Sequence, residues 1–225
     1  MSVSLAERPL QPGDRAPNVV LDAATREGKV ALDDYRGRKP VLVGLYRGLH
    51  CPFCRRHIAA MAQLDAALRD KGVETLAVVN TPPERARLYF RYHPIPNLLA
   101  ASDPERISHR AFGLPNPEIT ESESDWPRKI SMPEVLAMRV DPTGELPHPM
   151  NPIEAGDVLN AKDGYEMTAD DEQMVATGPA QLVGQFLLDL DGVVRWRFVE
   201  ATDGHEVFSF PTAQEMMSAA SKVAA

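Results

Sequence analysis

The two cysteines of the chain, Cys51 and Cys54, lie three positions apart, between an apolar run and a helical pattern. The run at 40–45 is short and rich in valine and leucine, which is typical of a buried central strand. Over 52–71 the apolar residues recur every three or four positions, which predicts an amphipathic helix that ends at Gly72. A Cys-x-x-Cys pair at a strand-to-helix junction is the arrangement of a thiol redox site.

Around this junction the sequence alternates between strand and helix patterns. The predicted strands are 18–22, 29–32, 74–80 and 97–102. The predicted helices are a short turn at 32–37, then 81–92 and 103–113. The repeated order of strand and helix implies a parallel sheet with right-handed crossovers.

The end of the chain has a different pattern. Apolar stretches at 182–189 and 193–199 are separated by Asp191-Gly192, which predicts an antiparallel hairpin with a tight turn. A final helix is expected at about 212–222. The predicted fold class is therefore α/β, with a mixed central sheet flanked by helices.

One stretch, 115–175, interrupts this pattern with eight prolines and with fourteen acidic residues against four basic ones. We expect an ordered but irregular insertion into a single domain that spans residues 1–225, preceded by a proline-rich N-terminal extension. The insertion should pack on the domain because several of its apolar residues need burial. These are Ile130, Met132, Val135, Leu136, Met150, Ile153 and Val158.

The overall composition excludes several classes of function. A net charge of −8 argues against a nucleic-acid partner, because phosphate binding needs a basic surface. No apolar run approaches the roughly 20 residues of a membrane span. The N-terminus lacks the apolar core of a secretory signal, so we expect a cytoplasmic protein, whose cysteines serve chemistry rather than structure. No glycine-rich phosphate loop is present, and no bound cofactor is expected.

Thiol chemistry needs a thiolate, so the site must lower a pKa that is ordinarily about 8.5. Cys51 stands at the predicted helix start, where free N–H groups and the helix dipole favour an anion. Basic side chains surround it in the sequence: Arg47, His50, Arg55, Arg56 and His57. Cys54 lies one turn further into the helix, so we predict that Cys51 attacks and that the less exposed Cys54 resolves.

The candidate catalytic residues are therefore Cys51, Cys54, Arg47 and His50. Arg47 is the first choice as thiolate partner, whereas His50 is either an acid/base group or a solvated loop residue. Half of a zinc site and two idle buried cysteines are the alternatives for the pair. The absence of a second cysteine pair and the cluster of arginines favour a redox dithiol, and no metal is expected.

Four stretches carry a resemblance to a known family: 13–17, 32–37, 46–54 and 185–192. Over roughly 10–114 and 180–222 the chain resembles the peroxiredoxin-like (AhpC/TSA-type) group of thioredoxin-fold proteins, in its Cys-Pro-x-Cys subgroup. The resemblance implies a thioredoxin-like fold and antioxidant reduction of a peroxide or a disulfide. It also implies an external reductant of the thioredoxin, glutaredoxin or glutathione type, and a homodimer is common in related families.

The chain departs from that family pattern at three positions. A peroxiredoxin has threonine or serine where this chain has Gly48, and proline where it has Gly44. Its second arginine would correspond to Val183, so Arg195 or Arg197 would have to substitute. Because the threonine orients the peroxide, thiol–disulfide exchange without peroxidase activity stays open. A non-enzymatic redox sensor, whose acidic insertion contacts a partner, is the third alternative.

Overall fold

A computed structural model of the chain describes residues 5–178 and 180–223. The strands are β1 (Val20–Ala23), β2 (Lys29–Ala31), β3 (Val41–Tyr46), β4 (Glu74–Val79), β5 (Leu99–Ser102), β6 (Glu118–Thr120), β7 (Lys129–Ser131), β8 (Gly184–Leu188) and β9 (Val194–Val199). The helices are α1 (Pro52–Asp70), α2 (Pro83–Tyr92), α3 (Ile107–Ala111), α4 (Met132–Ala137), α5 (Pro152–Asp163), α6 (Ala169–Thr177) and α7 (Ala213–Ala220).

Seven of these strands form one sheet in the order β2-β1-β5-β4-β3-β8-β9. Strand β3 runs parallel to β4, and β4 runs parallel to β5. On the other side, β3 pairs antiparallel with β8, and β8 pairs antiparallel with β9. The predicted mixed central sheet is confirmed. Its central strand, β3, leads directly into the dithiol.

Strand β3 is buried on both faces, which explains its unbroken apolar sequence. Leu42 and Tyr46 belong to the apolar cluster that the sheet shares with α1. The alternate residues Val41, Val43 and Leu45 belong to the cluster on the other face. Packing on both sides therefore fixes the point at which β3 ends and the cysteine loop begins.

Helix α3 is shorter than predicted. It begins at Ile107 rather than Asp103, because the Asp103 carboxylate accepts hydrogen bonds from the N–H groups of Ile107 (2.9 Å) and Ser108 (2.7 Å). Asp103 thus caps the helix from a position before it. Arg106, between the two, has a left-handed backbone with φ of 55° and does not join the helix.

The insertion is more regular than expected, since it contains α4, α5, α6 and the small parallel sheet of β6 and β7. Its prolines suggested broken structure, yet Pro152 occupies the first turn of α5, where no N–H is needed. The Asn151 side chain caps α5, and Thr168 forms a capping box with Asp171 at the start of α6. The prolines and polar residues therefore start helices here rather than exclude them.

Burial in the insertion agrees only in part with expectation. Ile130 and Met150 are buried, as predicted. Leu136 and Ile153 are each 48% exposed and Val158 is 39% exposed, so the need for burial was overestimated at these three positions. In the part of the chain that the structure describes, no helix combines the length and the apolarity needed to cross a membrane.

Candidate dithiol site

The two sulfurs lie at the N-terminus of α1, immediately after the loop that follows β3. Cys51 is the N-cap residue, and its Sγ accepts a hydrogen bond from the Cys54 N–H at 3.3 Å. Both cysteines are free thiols, 6% and 1% exposed respectively. Cys54 is therefore the less exposed sulfur, and Cys51 occupies the anion position of the helix terminus.

The surroundings separate the two thiols in acidity. Burial opposes ionisation of Cys51, but the Cys54 thiol, the Arg47 guanidinium and the Cys54 N–H together lower its pKa to about 6. Burial and the neighbouring Cys51 raise the pKa of Cys54 well above its usual range. At neutral pH the arrangement favours a thiolate at Cys51 and a thiol at Cys54.

Arg47 is held beside the cysteines by a carboxylate from the far end of the hairpin. Its Nη2 donates to both oxygens of Glu200, at 3.0 Å and 2.7 Å. Glu200 is fully buried and also accepts from the N–H groups of Val183 (3.0 Å) and Phe208 (2.6 Å). The Nη1 of Arg47 is buried and has no hydrogen-bond partner among the residues that the structure describes. Sequence reasoning missed Glu200, because its only local signal is an acidic residue at the end of a strand.

His50 lies against the loop rather than in solvent. Burial lowers its pKa to about 4, so the ring is neutral at pH 7. Its Nδ1 is buried, with no hydrogen-bond partner in the described part of the chain. The ring fills the space in which a side chain at Gly48 would lie. A Cβ added to Gly48 would come within 2.6 Å of His50 Nδ1.

Gly44 has a similar relation to Tyr46. A Cβ at Gly44 would lie 2.5 Å from Tyr46 Cε2. The absent side chain lets the Tyr46 ring pack in the interior, where its hydroxyl accepts from Gln185 Nε2 at 2.9 Å and lies 3.4 Å from the Met61 sulfur. At both glycines that depart from the peroxiredoxin pattern, a neighbouring ring thus occupies the space of the missing side chain.

Arg55 and Arg56 bind the insertion instead of the sulfurs. Arg55 is buried and donates to the Leu49 carbonyl (2.6 Å) and Asn160 Oδ1 (2.9 Å), and it forms an ion pair with Asp163. Arg56 pairs with Asp163 at 2.8 Å and with Glu145, whose Oε1 lies 2.6 Å from its Nε. The expected electropositive surround is therefore largely neutralised.

The remaining basic candidates are either uncharged or paired with an acid. Burial lowers the pKa of His57 to about 4, so it carries no charge at neutral pH. Arg195 pairs with Asp189 at 2.6 Å, and Arg197 pairs with Asp203. Neither arginine takes the role that the family assigns to its second arginine. Within the described residues, no group of three or more His, Cys, Asp or Glu side chains is arranged to hold a metal ion.

Comparison with protein families gives a match to the AhpC/TSA family over residues 12–146, more than half of the chain. The chain belongs to the AhpC/TSA family. The match includes the dithiol and extends into the insertion, beyond the 10–114 region of the predicted resemblance. It does not reach the C-terminal hairpin, where the resemblance was also expected.

Curated relatives of this AhpC/TSA protein include the 1-Cys peroxiredoxin PER1 of Triticum aestivum, 26% identical over 123 residues, or 52% of this chain and 56% of the relative. The PER1 protein of Hordeum vulgare is 25% identical over 123 residues, with the same coverage of 52% and 56%. The chain thus spans about half the length of the curated relatives it matches.

Solved structures extend the likeness to nearly the whole chain. A peroxiredoxin-like protein from Aquifex aeolicus is 16% identical, with a TM-score of 0.57 and coverage of 98% of this chain and 92% of that one. The peroxidoxin BcpB from Mycobacterium tuberculosis is 12% identical, with a TM-score of 0.56 and coverage of 95% and 98%. These similarities confirm the predicted thioredoxin-like fold.

Proposed function

We propose that this AhpC/TSA protein is a thiol-dependent oxidoreductase in which Cys51 and Cys54 form a redox dithiol. The observation that carries the proposal is the difference between the two sulfurs. Cys51 accepts the Cys54 N–H at 3.3 Å and has its pKa lowered to about 6, whereas burial keeps Cys54 protonated. A nucleophile and a resolving thiol are thus distinguished within one helical turn.

In the peroxide reaction the Cys51 thiolate attacks one oxygen of the O–O bond. A sulfur–oxygen bond forms, the O–O bond breaks, and the leaving oxygen takes up a proton to depart as water or an alcohol. The sulfur of Cys54 then displaces the hydroxyl of the Cys51 sulfenic acid, and the product water carries away the Cys54 proton. An external dithiol or two glutathione molecules reduce the resulting disulfide.

Arg47 and His50 complete the proposed catalytic set. Arg47 stabilises the thiolate and has an unpartnered Nη1 to offer to a reacting oxygen or sulfur. His50 is neutral and has a buried, unpartnered Nδ1 one residue before the nucleophile. We assign it the role of hydrogen-bonding the leaving oxygen or sulfur.

A second candidate is thiol–disulfide exchange without peroxidase activity, and the two glycines favour it. The His50 ring occupies the space beside Gly48 in which a family hydroxyl would orient a peroxide. In exchange chemistry the Cys51 thiolate attacks a substrate disulfide, a thiolate leaves, and Cys54 displaces the second one. This route needs no group that orients an O–O bond.

The setting of the reaction is also part of the proposal. The pair must be reduced again after each cycle, which suits a cytoplasmic location and a thiol reductant of the thioredoxin, glutaredoxin or glutathione type. We further propose that the whole chain forms one domain with 115–175 as its insertion, and that it assembles as a homodimer.

Stopped-flow oxidation of the reduced protein tests these proposals. If the protein is a peroxidase, hydrogen peroxide should oxidise Cys51 much faster than it oxidises a free thiol. A rate equal to that of a free thiol, together with rapid reaction with a small disulfide, would leave exchange as the function. If neither oxidant were reduced catalytically, and a partner were captured in one redox state alone, the redox sensor would replace both enzymes.

Replacement of each cysteine by serine tests the division of roles. Cys51→Ser should abolish turnover with either oxidant. Cys54→Ser should retain the first oxidation step and stop at a sulfenic acid or a mixed disulfide, which mass spectrometry distinguishes. Loss of the first step in Cys54→Ser alone would reverse the assignment of attacking and resolving sulfur.

A further inference from the structure

The loop between β9 and α7, residues 201–211, lies over the dithiol. Its Phe208 ring packs against Phe53, one of the two residues between the cysteines in Cys-Pro-Phe-Cys, with ring centroids 5.4 Å apart. The Arg47 guanidinium carbon lies 5.3 Å from the centre of the same ring. Phe208 therefore contacts both the cysteine motif and the cation that stabilises the Cys51 thiolate.

The backbone of this loop is strained at three positions. Ala201, Asp203 and Phe208 have φ values of 56°, 54° and 59°, in the left-handed region that favours glycine. The Phe208 N–H donates to Glu200 at 2.6 Å, which holds the residue in this conformation. A non-glycine residue keeps a left-handed backbone only when its surroundings hold it there. The contacts of Phe208 near the dithiol therefore hold this loop in a strained conformation.

A groove of about 670 Å³ is lined in part by Phe208. Its lining combines aromatic and charged side chains, and it includes residues of the insertion: Phe53, His57, Phe208, Phe210, Arg56, Glu206, Arg139 and Pro142. The lining includes both Phe53 and Phe208, whose rings pack together, and neither cysteine. Movement of Phe208 would open a path to Cys51 from this groove, whose lining mixes aromatic and charged side chains.

We propose that Phe208 is a specificity-determining residue that limits access to Cys51 by size, through opening of the strained 201–211 loop. When the loop is closed, small oxidants reach Cys51 and bulky ones are excluded. When the loop opens, its left-handed residues relax and the groove extends to Cys51. The inference rests on the proposed function in one respect, since it takes Cys51 as the reacting sulfur.

The test compares a bulky and a small reagent on the full-length reduced protein. Dithiodipyridine reacts when the Cys51 thiolate attacks its S–S bond and expels thiopyridone, and iodoacetamide reacts by forming an S–C bond and expelling iodide. In Phe208→Ala we expect the dithiodipyridine rate to rise about tenfold while the iodoacetamide rate changes about twofold at most. An unchanged ratio of the two rates would overturn the proposal.

A matched control comes from the same loop. Phe210 is also aromatic but stacks on His57, with centroids 4.6 Å apart. Phe210→Ala should leave the ratio near the wild-type value. If Phe210→Ala increased the ratio of the two rates as much as Phe208→Ala, the assignment to Phe208 would be overturned, because the loop as a whole would have loosened.

Ala201→Gly tests the backbone strain, and it should change the dithiodipyridine rate in the direction opposite to Phe208→Ala. Glycine tolerates the left-handed backbone, so the closed loop gains stability relative to the open one, and the dithiodipyridine rate should fall about fivefold. An unchanged or higher rate would overturn the claim that the loop relaxes when it opens. The pH dependence of iodoacetamide alkylation should match the wild type in Ala201→Gly, which establishes that the fold around Cys51 is intact.

These readouts are independent of turnover. Mass spectrometry that finds both reagents on Cys51, with a Phe208-dependent ratio, supports the access mechanism even if no peroxide is reduced catalytically. Conversely, catalytic turnover with a ratio that Phe208→Ala does not alter would retain the proposed enzyme and remove Phe208 from it.

Discussion

The insertion and the 201–211 loop both cover the start of α1, but they are anchored by different means. In the insertion, α5 and α6 begin at side-chain caps from Asn151 and Thr168, and the left-handed position that ends α5 is occupied by Gly164. The 201–211 loop instead has left-handed backbone at Ala201 and Phe208, where no glycine stands. The first region agrees with its local sequence preferences, whereas contacts hold the second against them.

The two regions also differ in how their carboxylates pair with the arginines near the cysteines. Asp163 of the insertion pairs with Arg55 and Arg56 and cancels charge at the helix start. On the other side, Glu200 precedes the loop and holds Arg47, whose charge still lowers the pKa of Cys51. The insertion thus braces the helix, while the hairpin end of the molecule sets the acidity of Cys51.

The largest expected effect is that of Arg47→Met, which removes the cation on the hairpin side. Burial then dominates at Cys51, so its pKa should rise above about 6. The alkylation rate at neutral pH should fall about tenfold for each unit by which that pKa exceeds the pH. The Glu200 carboxylate would lose its buried partner, which should lower the free energy of unfolding by about 3–5 kcal/mol. The pH profile of iodoacetamide alkylation and urea unfolding measure the two effects.

Arg56→Met is the matched control on the insertion side. Its ion pairs are partly exposed, so the loss of unfolding free energy should be about 1 kcal/mol or less. The pKa of Cys51 should stay at about 6. If Arg56→Met raised that pKa as much as Arg47→Met, the two regions would not differ in the way described.

An intermediate effect is expected from acid. Burial lowers the pKa of His57, which packs against the 201–211 loop through Phe210, from 6.5 to about 4. Between these values the unfolded chain binds a proton that the folded chain does not. The stabilisation is therefore present above pH 6.5 and is lost as the pH falls towards 4, at about 1.4 kcal/mol per pH unit.

His57→Gln should remove this contribution, so its unfolding free energy should fall less between pH 6.5 and pH 4.5 than that of the wild type. His50→Gln should reduce the acid sensitivity in the same way, because burial also lowers the pKa of His50 to about 4. Urea unfolding at the two pH values measures both. Equal acid sensitivity in His57→Gln and the wild type would contradict a neutral, buried His57.

A similarly small effect is expected from Asp163→Asn on the insertion side. Arg55 would keep its bonds to Leu49 and Asn160, and Arg56 would keep Glu145, so the unfolding free energy should fall by about 1 kcal/mol. The alkylation profile of Cys51 should not move along the pH axis. A clear displacement of that profile would show that the insertion tunes the nucleophile after all.

Local pattern was enough to predict the elements that carry the dithiol. The expected strand 40–45 and helix 52–71 correspond closely to Val41–Tyr46 and Pro52–Asp70. Residues within a few positions of one another produce these signals, so no knowledge of distant contacts is needed. The α5 and α6 helices were missed because their caps and prolines were interpreted as loop residues.

The chain by itself determined the α/β class, the position of the two sulfurs at a helix start, and the candidate set of Cys51, Cys54, Arg47 and His50. Tertiary structure alone decided which of the surrounding charges act on Cys51. Local sequence shows five basic side chains near the sulfurs. Only folding pairs Arg55 with Asp163, 108 positions away, and Arg56 with Glu145, 89 positions away. Folding likewise pairs Arg47 with Glu200, 153 positions away. Charge acts through distance and burial rather than through sequence separation, and both are set by packing.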